Sequence, residues 1–487
     1  MKNLKILLLS SEVTPFAKTG GLADVTGILP IELKSLGCNV AVFLPYYRQT
    51  KVKGKDFEIR LVKKDLKTRV GNVDIYFSLY QCKREKCDFF FIDRPEFFDR
   101  DFLYGTSVQD YPDNAHRFAF FAKSVLTSIA AIGFRPDVIH CNDWQTALTP
   151  FYLKYAGENT ELFKNSGTLF TIHNLAYQGL FEKEIMPEIG IGYEFFTPES
   201  LEFYGRGSFI KAGILYSDAI STVSKGYARE ILTKEFGCGL EGLLNLRKDA
   251  LYGILNGVDY SDWNPKLDKF IKTRYDITTL DKKLMCKKDL LSQMKLKASL
   301  DAPLLGIISR LAEQKGIDIV CAAMAQIIKL GANVVILGTG DEKYHKLLRE
   351  LARKYPKNIG IKITFDNALA HKIEAGSDMF LMPSRYEPCG LNQMYSLRYG
   401  TIPVVRAVGG LDDTIIDYSQ DPVSGNGFKF NQANTDDFIN ALKRAISVYS
   451  NKKEWIKLLK RAMGFDFSWE KSAKEYIRLY TQIAKRH

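Results

Sequence analysis

Eight cysteines, at positions 38, 82, 87, 141, 238, 286, 321 and 389, include no Cys-x-x-Cys pair, and the six histidines are scattered. That spacing offers no zinc site, and a reducing cytoplasm is the expected compartment. Long apolar runs are also missing. No stretch approaches the roughly 18 residues of a membrane span, so no membrane partner is expected. At the start, the apolar run Ile6 to Leu9 ends at Ser10, Ser11 and Glu12, too short for a signal-peptide core, and it reads as a buried first strand. No solenoid repeat or low-complexity segment occurs. HExxH, GxSxG and RNP-type strings are absent, which removes zincin, serine-hydrolase and RRM readings. Gly338-Thr-Gly340 follows a predicted strand but lacks the third glycine of a dinucleotide fingerprint, so NAD binding is not expected.

What is present is an ordinary globular composition in 487 residues, enough for two to four domains that each bury a core. Lys and Arg number 68 against 56 Asp and Glu, a formal charge of +12. The balance suits anionic ligands such as nucleotide phosphates, nucleic acid or acidic membrane without choosing among them. Short runs rich in Ile, Val, Leu and Phe alternate with polar loops and helical patterns, which predicts α/β layers with parallel sheets covered by helices. One series of strands is predicted from Leu4–Leu9 to Asp218–Thr222, a second from Pro303–Ser309 to Ile402–Arg406, with the join between Leu251 and Lys272. A last amphipathic helix is predicted over 469–483.

The candidate ligand groups sit where strands give way to helices. Lys18-Thr-Gly-Gly-Leu-Ala-Asp24 opens a helix, where glycines let a phosphate or sugar oxygen approach free N–H groups and Lys18 adds a charge. The glycines follow the lysine, so this is not a P-loop; a solvated lysine on a glycine turn is the competing reading. Ser309-Arg310-Leu-Ala-Glu-Gln-Lys315-Gly316 holds the matching place in the second half, and its paired cations suit a departing diphosphate. Two exposed basic residues would look the same. In Arg385-Tyr-Glu-Pro-Cys-Gly-Leu391, Glu387 can accept sugar hydroxyls, while Cys389, Gly390 and Leu391 offer backbone N–H groups. The alternative is that Glu387 caps a helix and Cys389 is a small core residue. His140-Cys-Asn-Asp143 and Ile172-His173-Asn174 end two strands and bring a carboxylate and an imidazole to the same edge, though either residue alone is more often structural. Asp99-Arg-Asp101 has the form of a metal-binding pair but lies in a polar loop and reads as solvated.

Taken together, Lys-Thr-Gly-Gly-Leu-Ala-Asp, Asn-Asp-Trp-Gln-Thr-Ala, Thr-Ile-His-Asn-Leu-Ala-Tyr-Gln-Gly, Leu-Asn-Gly-Val-Asp, Ser-Arg-Leu with Gln-Lys-Gly, and Glu-Pro-Cys-Gly-Leu resemble the bacterial glycogen synthase and plant starch synthase family. They run in the family's order from residue 18 to 415. The resemblance implies a GT-B fold, two Rossmann-like domains facing across a cleft, with residues 1–250 on the acceptor side, 251–465 on the donor side and 466–487 as a helix crossing back. It implies retaining transfer of glucose from ADP-glucose, a substrate, to the non-reducing 4-hydroxyl of an α-1,4-glucan, with no metal or cofactor. By the same resemblance, Lys18, Gly20 and Gly21 would bind the donor phosphates with Asp24 supporting their loop. Arg310 and Lys315 would neutralise ADP, while Glu387 with Cys389, Gly390 and Leu391, and Gly410 further on, would hold the donor. Asp143, His173 and Asn256 would line the glucose pocket.

Two positions depart from the pattern: Val408 stands where Thr is usual and Gln145 where His is common. Three other readings stay open at this level: a GT-B enzyme with a small acceptor such as a sucrose or trehalose synthase, a binding protein without turnover, and, for the positive charge alone, nucleic-acid binding. The residues leave the donor base, ADP or UDP, and the oligomeric state undecided.

Overall fold

The computed structural model describes residues 3–53, 56–106, 109–155 and 160–487. The chain forms two compact units. Unit 1 comprises residues 1–223, 228–257 and 469–487, and unit 2 comprises 224–227 and 258–468.

In unit 1 the strands are β1 (Lys5–Leu9), β2 (Asn39–Pro45), β3 (Arg60–Val70), β4 (Val73–Arg84), β5 (Cys87–Asp93), β6 (Val138–Asn142), β7 (Gly167–Ile172), the short β8 (Leu180–Phe181), β9 (Glu202–Phe203) and β10 (Arg206–Ser208), then β11 (Ala219–Thr222) and β12 (Leu251–Gly253). The main sheet has the order β12-β11-β7-β6-β1-β2-β5-β4-β3. It is parallel from β12 to β5, and β4 and β3 add antiparallel strands at one edge. That antiparallel extension is added to the expected parallel sheet. Strand β3 escaped the sequence reading because most of its side chains are exposed, so it carries no apolar run. The central strands are buried on both faces, as continuous apolar runs such as Ile6 to Leu9 require. Helix α1 (Gly21–Ser35) and the C-terminal helix Trp469–Ala484 pack on one face, where Tyr476, Leu479, Tyr480 and Ile483 join the core of β1 and β2. Helix α2 (Asn114–Ile132) belongs to the same unit.

Unit 2 is built on β13 (Leu304–Ile308), β14 (Asn333–Gly338), β15 (Ile359–Ile363), β16 (Met379–Met382), β17 (Ile402–Arg406) and β18 (Phe428–Phe430), in the order β15-β14-β13-β16-β17-β18, all parallel. Its helices include α3 (Ile317–Lys329), α4 (Asn392–Arg398) and α5 (Gly409–Thr414). Read by sequence position within the sheet, this is the 3-2-1-4-5-6 order of a Rossmann-like fold, and β5-β2-β1-β6-β7-β11 repeats it in unit 1. The order reverses between β1 and β6 in unit 1 and between β13 and β16 in unit 2. Ligands in such sheets bind beyond the carboxyl ends of the strands at that reversal.

Candidate active-site groups in each unit

Both reversals are bridged by an asparagine side chain. The Asn142 amide at the end of β6 donates to the Leu9 carbonyl at the end of β1, 3.0 Å. In unit 2 the Asn392 amide donates to the Ile308 carbonyl that ends β13, 2.8 Å. The loops leaving these four strands carry most of the residues singled out in the sequence.

In unit 1 the loop after β1 brings Lys18 to Asp24, with Nζ 2.6 and 2.8 Å from the two carboxylate oxygens. Lys18 is therefore paired rather than freely mobile. The amides of Thr19 and Gly20 are not free for a phosphate either. Both donate to Glu12, at 2.5 and 3.0 Å, and the Thr19 hydroxyl donates to its other oxygen. Sequence reasoning missed Glu12, which carries no motif of its own. What the loop leaves open is the amide of Gly21, which finds no acceptor among the described residues, and space: apart from the adjoining backbone, a Cβ at Gly20 or Gly21 would meet no atom of the described residues within 4 Å. Gly20 has an extended φ of −149°, so neither packing nor backbone conformation demands glycine there.

Asp143, after β6, has φ +55° and ψ 178°, a conformation that non-glycine residues adopt only under constraint. Its Oδ1 accepts the His173 amide at 2.7 Å, and His173 Nε2 lies 2.9 Å from Asn142 Oδ1. Burial pushes the Asp143 carboxyl up to about 7 against the pull of the His173 and Asn174 amides, and pulls the His173 imidazole down to about 3. Next to them Gln145 Oε1 is a buried acceptor with no partner among the described residues, and so is Asn256 Oδ1 beyond β12; both residues are only 6% exposed. An unmet buried acceptor costs about 1–3 kcal/mol unless a ligand donor completes it.

In unit 2 Lys315 Nζ lies 2.9 and 2.6 Å from the Glu387 carboxylate oxygens, and the Ser384 hydroxyl donates to the same carboxylate at 2.9 Å. Glu387 is thus an ion-pair partner and not a helix cap. Arg310 is exposed, donates to Gln314 at 3.0 Å and has no ion-pair partner among the described residues. The loop from Glu387 is stitched to α5: Gly410 N donates to the Glu387 carbonyl at 3.1 Å, and Gln393 donates to the carbonyls of Cys389 and Gly390. Gly410 packs so closely on the Cys389 carbonyl that a Cβ would overlap it, and Gly390 takes φ +69°. The amides of Gly390 and Leu391 donate to no acceptor among the described residues. Cys389 is buried. Val408 is the N-cap of α5, buried and without a side-chain hydrogen bond.

Asp99 and Asp101 lie in an exposed loop, with the Asp101 side chain 76% accessible. Both carboxylates hold Arg48, at 2.6 and 2.5 Å, and that hydrogen bond keeps Asp99 below the usual carboxylate range. Among the described residues no group of three or more His, Cys, Asp or Glu side chains is placed to hold a metal, and no helix is long and apolar enough to cross a membrane.

Each Rossmann-like unit thus carries cations and carboxylates at its sheet reversal, the arrangement of an α/β enzyme that binds an anionic ligand there. Residues 5–246 match the starch synthase catalytic domain and residues 292–461 match glycosyl transferases group 1. The chain is 48% identical over 480 residues to a glycogen synthase of Geotalea daltonii, covering 99% of both chains, and 42% identical over 488 residues to one of Thermosipho africanus, covering 99% of this chain and all of the other. It belongs to the glycogen synthase and starch synthase family. Among solved structures it is similar to the catalytic domain of starch synthase IV from Arabidopsis thaliana bound to ADP and acarbose, at 32% identity and a TM-score of 0.90, with 99% of this chain and 100% of that one covered. A sucrose-phosphate synthase from Thermosynechococcus elongatus shares the fold at 18% identity and a TM-score of 0.62, covering 99% of this chain and 100% of that one.

Proposed function

We propose that this chain transfers glucose from ADP-glucose to the 4-hydroxyl at the non-reducing end of an α-1,4-glucan, with retention at the anomeric carbon and release of ADP. The observation that carries the reading is the arrangement after β13 and β16: a Lys315–Glu387 pair beside Arg310, whose guanidinium has no ion-pair partner among the described residues. Two cations on one sheet reversal suit a diphosphate leaving group and supply its charge stabilisation without a metal or an organic cofactor. The open amides of Gly390 and Leu391 add donors for its oxygens.

In this reading the bond from the anomeric carbon to the β-phosphate oxygen breaks and its electron pair stays on ADP. The acceptor oxygen bonds to the anomeric carbon on the same face, and its proton passes to the departing phosphate oxygen. Glycosidases of the two-carboxylate type place a nucleophile for this step. No such nucleophile is assigned here: Glu387 is ion-paired with Lys315 and accepts from Ser384, and its remaining lone pairs can accept a sugar hydroxyl. It holds the donor and fixes Lys315. On unit 1, Asp143, His173 and Asn256 grip glucose hydroxyls, and the unmet Asn256 Oδ1 acceptor is completed by one of them. Lys18 and the Gly20–Gly21 space admit the nucleotide-sugar phosphates. The substrates are soluble, and the enzyme acts in the cytoplasm.

ADP and UDP release, measured with each nucleotide-glucose in the presence and absence of glycogen, tests the reading. Glycogen-dependent ADP release with glucose entering α-1,4 chains is expected. Protein that binds ADP but releases none from ADP-glucose would instead be a binding protein.

A further inference from the structure

Glu12 is 4% exposed, and its carboxylate accepts four hydrogen bonds: the amides of Thr19 and Gly20, the Thr19 hydroxyl, and the Tyr104 hydroxyl at 2.8 Å. Its backbone carbonyl accepts the Ser10 and Thr26 hydroxyls. A buried carboxylate beside a loop that is to receive phosphates is at first sight the wrong charge, because like charges oppose each other more strongly as water is removed. Its partners explain it. Glu12 takes the two amides that a phosphate would otherwise occupy, leaving the Gly21 amide and Lys18 as the places where the loop can meet an anion.

The fourth partner comes from far along the chain. Tyr104 also lies 2.7 Å from Ser11 Oγ, and its carbonyl accepts the Asn114 amide at 2.8 Å. Arg117 is wholly buried on α2, and among the described residues no carboxylate is bonded to it. It spends its guanidinium on the carbonyls of Phe97 and Leu103, 2.7 and 2.9 Å, and on Asn114 Oδ1 at 2.6 Å. Burying a guanidinium against neutral carbonyls is costly, and the cost is offset here by its three hydrogen bonds and the rings of Phe98, Tyr111 and Phe118. What the guanidinium fixes is the backbone on the N-terminal side of Tyr104.

We infer that Glu12 is a positioning residue for the Lys18–Gly21 loop, set in place by Tyr104 and, through the Leu103 carbonyl, by Arg117. The inference rests on the proposed role of that loop toward the donor phosphates. A simple structural staple would stabilise the fold equally whatever the loop later binds, whereas a positioning residue must change donor binding apart from stability.

The test combines amide hydrogen exchange, ADP binding by calorimetry and steady-state kinetics on the full chain as wild type, Glu12→Gln and Thr19→Val. The expected result for Glu12→Gln is exchange at Thr19 and Gly20 at least 10-fold faster with the central strands still protected, ADP binding at least 10-fold weaker, and KM for ADP-glucose raised at least 10-fold with KM for glycogen changed less than twofold. Thr19→Val removes only the hydroxyl contact of an exposed residue, so it stays folded, and it should move ADP binding about threefold in the same direction. Faster exchange with unchanged ADP affinity in both variants would overturn the inference, as would unchanged exchange. If Glu12→Gln does not fold, Thr19→Val decides: unchanged ADP affinity rejects the role. Should wild type turn over no ADP-glucose, the proposed function fails, while the calorimetric comparison still judges Glu12.

Discussion

The Lys315 ammonium lies 2.6 and 2.9 Å from the two oxygens of Glu387, 72 residues further along, and so ties the loop after β13 to the loop after β16. Two functions are folded into one contact. The lysine keeps a buried carboxylate paired, and it remains a cation at the edge where a diphosphate is proposed to leave. Removing it alone strands Glu387, a loss of about 3–5 kcal/mol for a fully buried pair and less where the lysine is partly exposed. Lys315→Ala should therefore lower both the melting temperature and kcat, the latter by about 10²–10³. Lys315→Ala combined with Glu387→Gln should regain most of the melting temperature and none of the turnover. If the double variant recovers both, the pair is only structural.

Arg310 makes the complementary case. It is exposed and holds only Gln314, so the folded protein loses almost nothing with it. Arg310→Ala should unfold within about 0.5 kcal/mol of wild type while kcat falls by about 10²–10³. Thermal melts beside turnover assays check this, and unchanged turnover in the folded variant removes Arg310 from the mechanism.

The contrast between these residues shows where sequence reasoning stops. Strands such as β1, β13 and β17 are continuous apolar runs and could be read directly, and so could their order of alternation with helices. Strand β3 could not, because an exposed edge strand full of lysines has no burial pattern to show. Arg310, Lys315 and Glu387 were legible as residue types at strand ends, but their partners were not: Glu387 meets Lys315 across 72 positions, and Arg310 has no ion-pair partner among the described residues. Glu12 went unnoticed because its meaning lies in four donors, one of them 92 residues away. The positive φ of Asp143 leaves no trace in composition at all.

Gly20 and Gly21 offer a test of ligand approach that packing cannot mimic. Apart from the adjoining backbone, no atom of the described residues lies within 4 Å of a Cβ built at either position. Gly20→Ala and Gly21→Ala should keep or slightly raise stability, by up to about 1 kcal/mol through the unfolded chain. KM for ADP-glucose should nevertheless rise at least 10-fold if the donor fills that space. Kinetics indistinguishable from wild type in both variants would mean the space receives no substrate.

Buried groups of opposite sign in unit 1 make stability depend on pH in a way that single substitutions separate. Burial pulls His140 and His173 down to about 3, from 6.5 in the open chain. The unfolded chain binds more protons there, so their contribution is present above about 6.5 and is lost as pH falls toward 3. Asp143 runs the other way: burial raises it to about 7 from 3.8, so its contribution is present below about 3.8 and is lost as pH rises through 7. His140 lies 2.8 Å from the Tyr480 hydroxyl of the C-terminal helix and 2.6 Å from Thr171 Oγ1, contacts that glutamine can replace without a titrating ring. Melting temperatures from pH 4 to 8 should therefore fall less steeply toward acid in His140→Gln than in wild type, and more steeply in Asp143→Asn, which removes the opposing group. Parallel curves for all three proteins would show that neither side chain carries the proton linkage. In wild type the ionisation of Asp143 should also appear as a limb near pH 7 in kcat/KM, because a charged carboxylate beside His173 stabilises the cationic sugar as the diphosphate departs.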